Sequence, residues 1–94
     1  MLILYYFFIF FCSVINIRNT AFIKTFGRNL IKLRREKGLS QEQLAHKADI
    51  PINQIGRIER GEVNTTLSTL YMISFALELN ICELFSFEYD ILEQ

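Results

Sequence analysis

The sequence predicts an all-α protein of five short helices. Three observations favour this fold class: apolar residues recur at intervals of three and four, Ser, Thr or Asn precedes three of these segments, and Gly or Pro separates several of them. A chain of 94 residues allows one domain. We expect an apolar N-terminal extension at 1–20, a helical domain at 21–86 and an acidic tail at 87–94.

The first helix is predicted over 21–37, with a basic outer face. Gly38 follows at the position where glycine commonly ends a helix, because a left-handed conformation costs glycine little. Leu39 then enters the core. The apolar positions at helical spacing are Phe22, Ile23, Phe26, Leu30 and Leu33.

Two short helices follow, separated by a break. Ser40 and Gln43 have the S-x-x-Q spacing of a capping box, which predicts that the second helix begins here. It should end near Ala48, because Pro51 cannot continue a helix but is accepted in a first turn. The third helix is predicted from Pro51 to about Arg60. The inward-facing positions of the pair are Leu44, Ala45, Ala48, Ile50, Ile55 and Ile58.

Gly56 is unusual inside a helix, where it costs about 1 kcal/mol against alanine. It indicates either a close approach to a neighbouring helix or to phosphate, or simple tolerance of glycine at this position.

The last two helices are also predicted from caps. Thr66 should cap a fourth helix that runs to about Leu79, and Asn80 with Glu83 has the spacing of a second capping box, which predicts a short fifth helix. The expected buried stripe of the fourth helix is Leu67, Leu70, Ile73 and Leu77, and the apolar residues of the fifth helix are Ile81, Leu84 and Phe85.

Charge is distributed unevenly although the net charge is zero. All ten Lys and Arg residues lie between Arg18 and Arg60, a range with four acids, whereas six acids and no base follow from Gly61 onward. This asymmetry favours a basic half that faces nucleic acid, or else reflects ordinary solvated helix faces. Two cysteines and one histidine favour neither a metal site nor a disulfide framework, and no nucleophile motif or phosphate loop indicates catalysis.

The segment 1–17 contains no charged residue. It is at the short end of membrane-spanning lengths. It lacks the basic start and small-residue cleavage site of a secretory signal. A membrane anchor, a signal and a start codon placed too far upstream are the three interpretations, and we favour the last.

Two motifs, GLSQxxLA at 38–45 and IxxIExG at 55–61, resemble those of the lambda-repressor-like (Xre/Cro type) helix-turn-helix DNA-binding domains. The similarity extends from about Phe26 to Phe85 without insertions. It implies a five-helix domain whose third helix enters the major groove of double-stranded DNA. Asp49 stands where relatives usually have glycine, at a turn position that often needs positive φ, and Pro51 replaces their usual Ser or Thr cap.

If the third helix lies in the major groove, its outward residues meet base edges. By spacing these are Ile52, Asn53 and Arg57, with Gln54 beside them. Arg can bind guanine through two hydrogen bonds, Asn can do the same to adenine, and Ile can pack on a thymine methyl. The alternative for each is a solvated helix residue.

Phosphate contacts are expected on either side of that helix. The resemblance places Gln41 at a helix N-terminus that abuts the DNA backbone, where N–H groups favour phosphate, and Gln41 could also brace a recognition residue. The other candidates are Arg60, Asn64 and Thr65 near the following loop, and Arg28 and Lys32 on the first helix.

The resemblance also implies that Arg34 and Glu59 form an internal, partly buried ion pair. Apolar residues remain on the fourth helix after its core stripe is complete, and they indicate either a homodimer interface or packing under the tail. These are Tyr71, Met72 and Phe75, together with Phe85 and Phe87.

The sequence therefore predicts a cytoplasmic, sequence-specific DNA-binding transcriptional regulator that acts as a homodimer on a palindromic operator. It predicts no enzymatic activity, cofactor, metal or small-molecule substrate. The alternative is a membrane-tethered helical adaptor that binds protein and uses residues 1–17 as its anchor. A repressor, a restriction–modification controller and an antitoxin share this kind of domain, and the sequence leaves the three open.

Overall fold

A computed structural model describes residues 19–88 of the chain, and the regular structure within this range is helical throughout. The elements are α1 (Thr20–Glu36), α2 (Gln41–Ala48), α3 (Ile52–Glu59), α4 (Leu67–Ala76) and a 3₁₀ helix (Ile81–Phe85). The predicted all-α class is confirmed. The interpretations of residues 1–17 and most of the predicted tail lie outside the described residues.

The helices enclose an apolar core. α1 packs against α3 and the 3₁₀ helix, α2 packs against α3 and α4, and α4 contacts the 3₁₀ helix. Two helices of eight residues would not persist alone, so α2 and α3 depend on this packing. The buried apolar residues are Phe26, Leu30, Leu33, Leu44, Ala45, Ala48, Ile55, Ile58, Leu70, Ile73, Ala76, Leu77 and Leu84.

α1 begins and ends within one residue of its predicted bounds. Asn19 is its N-cap, and the Asn19 side chain accepts a hydrogen bond of 2.9 Å from the backbone N–H of Phe22. Gly38 adopts the expected positive φ of 70° after the helix. The backbone N–H of Leu39 then donates to the carbonyl of Arg34, which turns the chain back toward the core.

The turn between α2 and α3 follows the sequence prediction. Ser40 and Gln43 form the capping box, with hydrogen bonds of 3.1 and 2.8 Å. Asp49 ends α2 with a φ of 56°, the left-handed conformation expected there. Pro51 precedes α3 without a side-chain cap, and the carbonyl of Pro51 accepts from the N–H groups of Gln54 and Ile55. The fixed φ of Pro51 and these two hydrogen bonds therefore define the N-terminus of α3.

α4 is three residues shorter than predicted. Glu78 adopts a φ of 58°, and the N–H groups of Glu78 and Leu79 donate back to the carbonyls of Phe75 and Ser74. This pair of bonds is a Schellman motif, which ends the helix. The motif usually contains glycine at the left-handed position, and Glu78 gave no such signal in the sequence.

The prediction that Leu67 is buried is wrong. Leu67 is 79% exposed, whereas Leu70, Ile73 and Leu77 are buried as expected. Leu67 is the first residue of α4, and positions four and eight residues later share its face. Those positions, Tyr71 and Phe75, are exposed too.

The fifth helix exists but is a 3₁₀ helix rather than an α-helix. Asn80 caps it by accepting a hydrogen bond from the N–H of Cys82, so the expected capping box with Glu83 is replaced by a tighter turn. Five residues are a typical length for 3₁₀ geometry. Phe85 is 38% exposed and packs within an aromatic cluster. That cluster consists of Phe22, Phe26, Phe85 and Phe87.

Across residues 19–88, no helix has both the length and the apolar character needed to cross a bilayer. The same residues contain no group of His, Cys, Asp and Glu side chains arranged to hold a metal ion.

Candidate nucleic-acid interface

The two faces of α3 differ sharply in exposure. Ile55 and Ile58 are fully buried against the core, whereas Asn53 and Arg57 are exposed. Ile52 is 41% exposed in the first turn, which leaves an apolar side chain open to solvent beside them. The outward face of α3 therefore offers an amide, a guanidinium and an aliphatic group, which are the groups that can read adenine, guanine and thymine in the major groove.

A shallow groove runs between α3 and the loop that follows it. Asn53, Gln54 and Arg57 line one wall, and Asn64 and Thr65 lie on the other. The remaining lining residues are Pro51, Val63 and Thr66. The structure thus brings three of the four candidate base contacts together with two of the candidate phosphate contacts. Ile52, Gln41, Arg60 and Arg28 lie outside this groove.

A buried ion pair fixes the position of α3. Arg34 on α1 donates from Nε to Glu59 Oε2 at 2.6 Å and from Nη2 to Glu59 Oε1 at 3.2 Å. The side chains of the pair are 10% and 2% exposed. A planar guanidinium binding both oxygens of a carboxylate resists rotation, because two parallel hydrogen bonds must break together. This pair holds the end of α3 against α1.

Two further hydrogen bonds extend the ion pair to α2. Gln41 Nε2 donates to Glu59 Oε1 at 2.7 Å, and Arg34 Nη1 donates to the carbonyl of Leu39 at 2.9 Å. Gln41 is half-buried at the start of α2. Its side chain is therefore engaged in bracing α3, and its backbone N–H remains at the helix N-terminus, where an anion is favoured. One network joins α1, α2 and α3.

Gly27 allows α1 to lie directly against α3, a role that was not predicted from the sequence. A Cβ at Gly27 would lie 2.5 Å from the carbonyl oxygen of Glu59 and 2.6 Å from that of Ile58. At Gly56, by contrast, a Cβ would meet the side-chain ends of Arg60 and Gln41 and no helix backbone. A glycine inside a predicted helix often marks a close packing contact, and this was the sequence feature from which the role of Gly27 could have been predicted.

Asn29 is a second buried residue that sequence reasoning missed. Asn29 Nδ2 donates to the carbonyl of Leu84 at 2.8 Å, which ties α1 to the 3₁₀ helix. Its position three residues after Phe26 places it on the apolar face of α1, and a polar residue there indicates a satisfied internal contact.

Arg60 lies at the end of α3 and is paired with Glu62. Arg60 Nε and Nη2 both donate to the Glu62 carboxylate, and both side chains are about half exposed. The hydrogen bond from Arg60 lowers the pKa of Glu62, with a smaller contribution from the charge of Arg57. Thus the cation nearest the end of α3 has an anionic partner in this structure.

Arg28 is exposed on α1, and Arg28 Nη2 donates to Thr25 Oγ1 at 3.4 Å. Lys32 is one turn further along the same helix and is also exposed. Both are accessible to solvent, and neither lines the groove beside α3.

Comparison with known proteins identifies this arrangement. The family model described as helix-turn-helix matches residues 30–84, which is more than half of the chain. The chain belongs to the helix-turn-helix family. The lambda-repressor-like resemblance found in the sequence is confirmed by this match.

Similar proteins include regulators from several bacteria. The uncharacterized HTH-type transcriptional regulator y4dJ of Sinorhizobium fredii is 39% identical over 61 residues, covering 65% of this chain and 79% of that protein. Control protein C.MunI of a Mycoplasma species is 44% identical over 62 residues, covering 65% and 84%. The crystal structure of the restriction-modification controller protein C.AhdI from Aeromonas hydrophila matches with a TM-score of 0.65 at 36% identity, over 70% of this chain and 98% of that one.

This helix-turn-helix protein is a DNA-binding transcriptional regulator, which confirms the function class predicted from its sequence. The relatives named above are regulators and control proteins.

Proposed function

We propose that the protein binds an operator through α3 in the major groove, as a homodimer that represses or activates a neighbouring promoter. The observation that carries this is the outward exposure of Asn53 and Arg57 on a helix whose other face is fully buried and braced. A rigid helix presents side chains to base edges at fixed positions, which sequence discrimination requires.

Base reading falls to four residues under this proposal. Arg57 binds a guanine through O6 and N7, and Asn53 binds an adenine through N6 and N7. Ile52 packs on a thymine methyl, and Gln54 contacts the adjacent base from the wall of the groove.

Phosphate contacts position the domain without reading sequence. The backbone N–H groups at the start of α2, around Gln41, face one strand of DNA backbone, while Asn64 and Thr65 reach the other side of the groove. Arg60 and Arg28 add cationic contacts. Because these contacts release counterions, affinity should fall steeply as salt increases.

Homodimerisation is supported by the exposed apolar stripe of α4. Leu67, Tyr71 and Phe75 are exposed at intervals of four residues, so they share one face of the helix. Phe85 and Phe87 are instead partly covered by Phe22 and Phe26 within the same chain. The α4 stripe is therefore the apolar surface that a second copy would cover, and a two-fold dimer would read two half-sites about one DNA turn apart.

The similarity to C.MunI and C.AhdI favours a controller role over that of a repressor or antitoxin. A restriction endonuclease or methyltransferase gene beside this one would support that role. We further propose that residues 21–86 form the DNA-binding unit, that the protein works in the cytoplasm where its operator lies, and that it has no enzymatic activity.

Selection of random duplexes by the purified chain tests the main proposal. We expect an inverted repeat whose half-sites contain a guanine and an adenine at fixed spacing. Recovery of no preferred sequence, or the same sequence with an Asn53→Ala, Arg57→Ala double variant, would contradict it. If cell fractionation placed the full-length protein in membranes and selection returned no sequence, the adaptor alternative would be favoured.

A further inference from the structure

The proposed function assigns Arg60 a phosphate contact, and in this structure Arg60 is paired with Glu62. Arg60 follows α3 directly, and the turn at Gly61, with a φ of 73°, returns the chain so that the Glu62 carboxylate meets the Arg60 guanidinium. The backbone N–H of Glu62 donates to the carbonyl of Arg57 at 2.9 Å, which fixes this turn. The side chains of Arg60 and Glu62 are 59% and 47% exposed.

The Arg60 guanidinium folds back over α3 toward α2. A Cβ at Gly56 would lie 3.0 Å from Arg60 Nη1 and 3.9 Å from Gln41 Nε2. Gly56 therefore leaves room for the guanidinium beside the first residue of α2. This location places a cation next to the helix N-terminus at which the proposed function puts a backbone phosphate.

A carboxylate and a phosphate bind arginine in the same way, through two parallel hydrogen bonds to neighbouring oxygens. Glu62 uses Arg60 Nε and Nη2, which form one of the two donor pairs through which an arginine can bind a phosphate. The two anions cannot occupy these donors together.

We propose that Glu62 is an internal competitor of the DNA backbone, which occupies Arg60 in the unbound protein and is displaced by a phosphate on binding. Glu62 thereby lowers affinity for every duplex by a similar factor, because a phosphate contact carries no base information. Base contacts on α3 then contribute a larger share of the binding energy. This inference rests on the function proposed above.

The exchange is accessible because the pair is exposed to water. Exposed ion pairs are only a few times more stable than their separated partners, so a phosphate can replace Glu62 at small cost. Glu59, the buried partner of Arg34, could not be exchanged in this way, because its release would leave the Arg34 guanidinium buried without a counter-charge.

A double-mutant cycle tests the inference on the full chain. The variants are Glu62→Gln, Arg60→Ala and the combination, measured for affinity to a selected operator and to a random duplex at several salt concentrations. Glu83→Gln is the matched control, because it removes one negative charge from the exposed 3₁₀ helix instead.

We expect Glu62→Gln to tighten binding to both duplexes by about two- to fivefold, the range set by exposed ion pairs. Arg60→Ala should weaken both duplexes alike, and Glu62→Gln should give no gain when residue 60 is alanine. Glu83→Gln should leave both affinities unchanged.

Three results would overturn the inference while wild-type binding stays intact. These are no gain from Glu62→Gln, a gain that persists in the Arg60→Ala background, and an equal gain from Glu83→Gln, each of which would indicate no exchange at Arg60. Failure of the wild-type chain to bind any duplex would instead overturn the proposed function.

Discussion

Within the described residues, two arginine–carboxylate pairs lie at the same end of α3, and their surroundings differ. Glu59 is nearly inaccessible and accepts hydrogen bonds from Arg34 and Gln41, whereas Glu62 is about half exposed and accepts hydrogen bonds from Arg60. Water screens the outer pair and is excluded from the inner one. The inner pair, Arg34–Glu59, therefore stabilises the fold, whereas the outer pair, Arg60–Glu62, can exchange its partner.

This difference separates stability from binding along a single short helix. Side chains on the inner face of α3 join three helices, so their loss should unfold the domain. Those on the outer face make few contacts within the protein, so their loss should change DNA binding and leave the fold intact. Four substitutions test this separation.

The largest effect is expected from Glu59→Ala. It leaves the Arg34 guanidinium buried without its partner, which typically costs about 3–5 kcal/mol in the free energy of unfolding. Thermal or urea unfolding measures the loss. Glu62→Ala is the matched control and should leave the unfolding midpoint unchanged, so equal losses in the two variants would contradict the distinction between the pairs.

Gly27→Ala should also destabilise the fold. Its Cβ would lie 2.6 Å from the carbonyl oxygen of Ile58 and 2.5 Å from that of Glu59, which is closer than van der Waals contact allows. The backbone of α3 cannot move away without disturbing the ion pair, so we expect a loss of about 1–3 kcal/mol, as for overpacked cores. Urea unfolding would measure it, and an unchanged midpoint would show that α1 and α3 lie further apart.

Arg57→Ala should affect specificity rather than stability. Losing one bidentate contact to guanine reduces the free energy of discrimination at that base pair by about 1–3 kcal/mol. Affinities for a series of operators, each with one changed base pair, measure this loss. Arg60→Ala should instead weaken binding to every operator in the series equally. If Arg57→Ala weakened all operators equally and Arg60→Ala changed the preference at one base pair, the assignment of Arg57 to a base and Arg60 to a phosphate would be contradicted.

The smallest effect is expected from Gly56→Ala. Here the new Cβ meets the side-chain ends of Arg60 and Gln41, and alanine is favoured over glycine in a helix by about 1 kcal/mol or less. Chemical unfolding should therefore show an unchanged or slightly raised stability. A loss as large as that of Gly27→Ala would mean that a backbone approaches α3 at this position too.

Local signals predicted much of this fold. The Ser40–Gln43 capping box, the Pro51 start of α3 and the positive φ of Asp49 all involve residues within a few positions of each other. Such short-range rules operate before the chain is packed, which is why they could be read from the sequence.

Features that depend on tertiary packing were missed. Gly27 and Asn29 acquire their roles from residues more than thirty positions away, at Glu59 and Leu84. Glu78 ends α4 in a conformation that glycine usually supplies, and Leu67 is exposed although it shares the spacing of the buried stripe. The engagement of Arg60 by Glu62 likewise depends on the turn at Gly61.

The central claim is that the outer face of α3 contacts base edges. A crystal structure of the full chain with its selected operator tests this most directly. We predict Arg57 nitrogens within about 2.7–3.2 Å of guanine O6 and N7, and the Asn53 amide at the same distances from adenine N6 and N7. Both side chains directed at phosphates or at solvent in such a complex would contradict the claim.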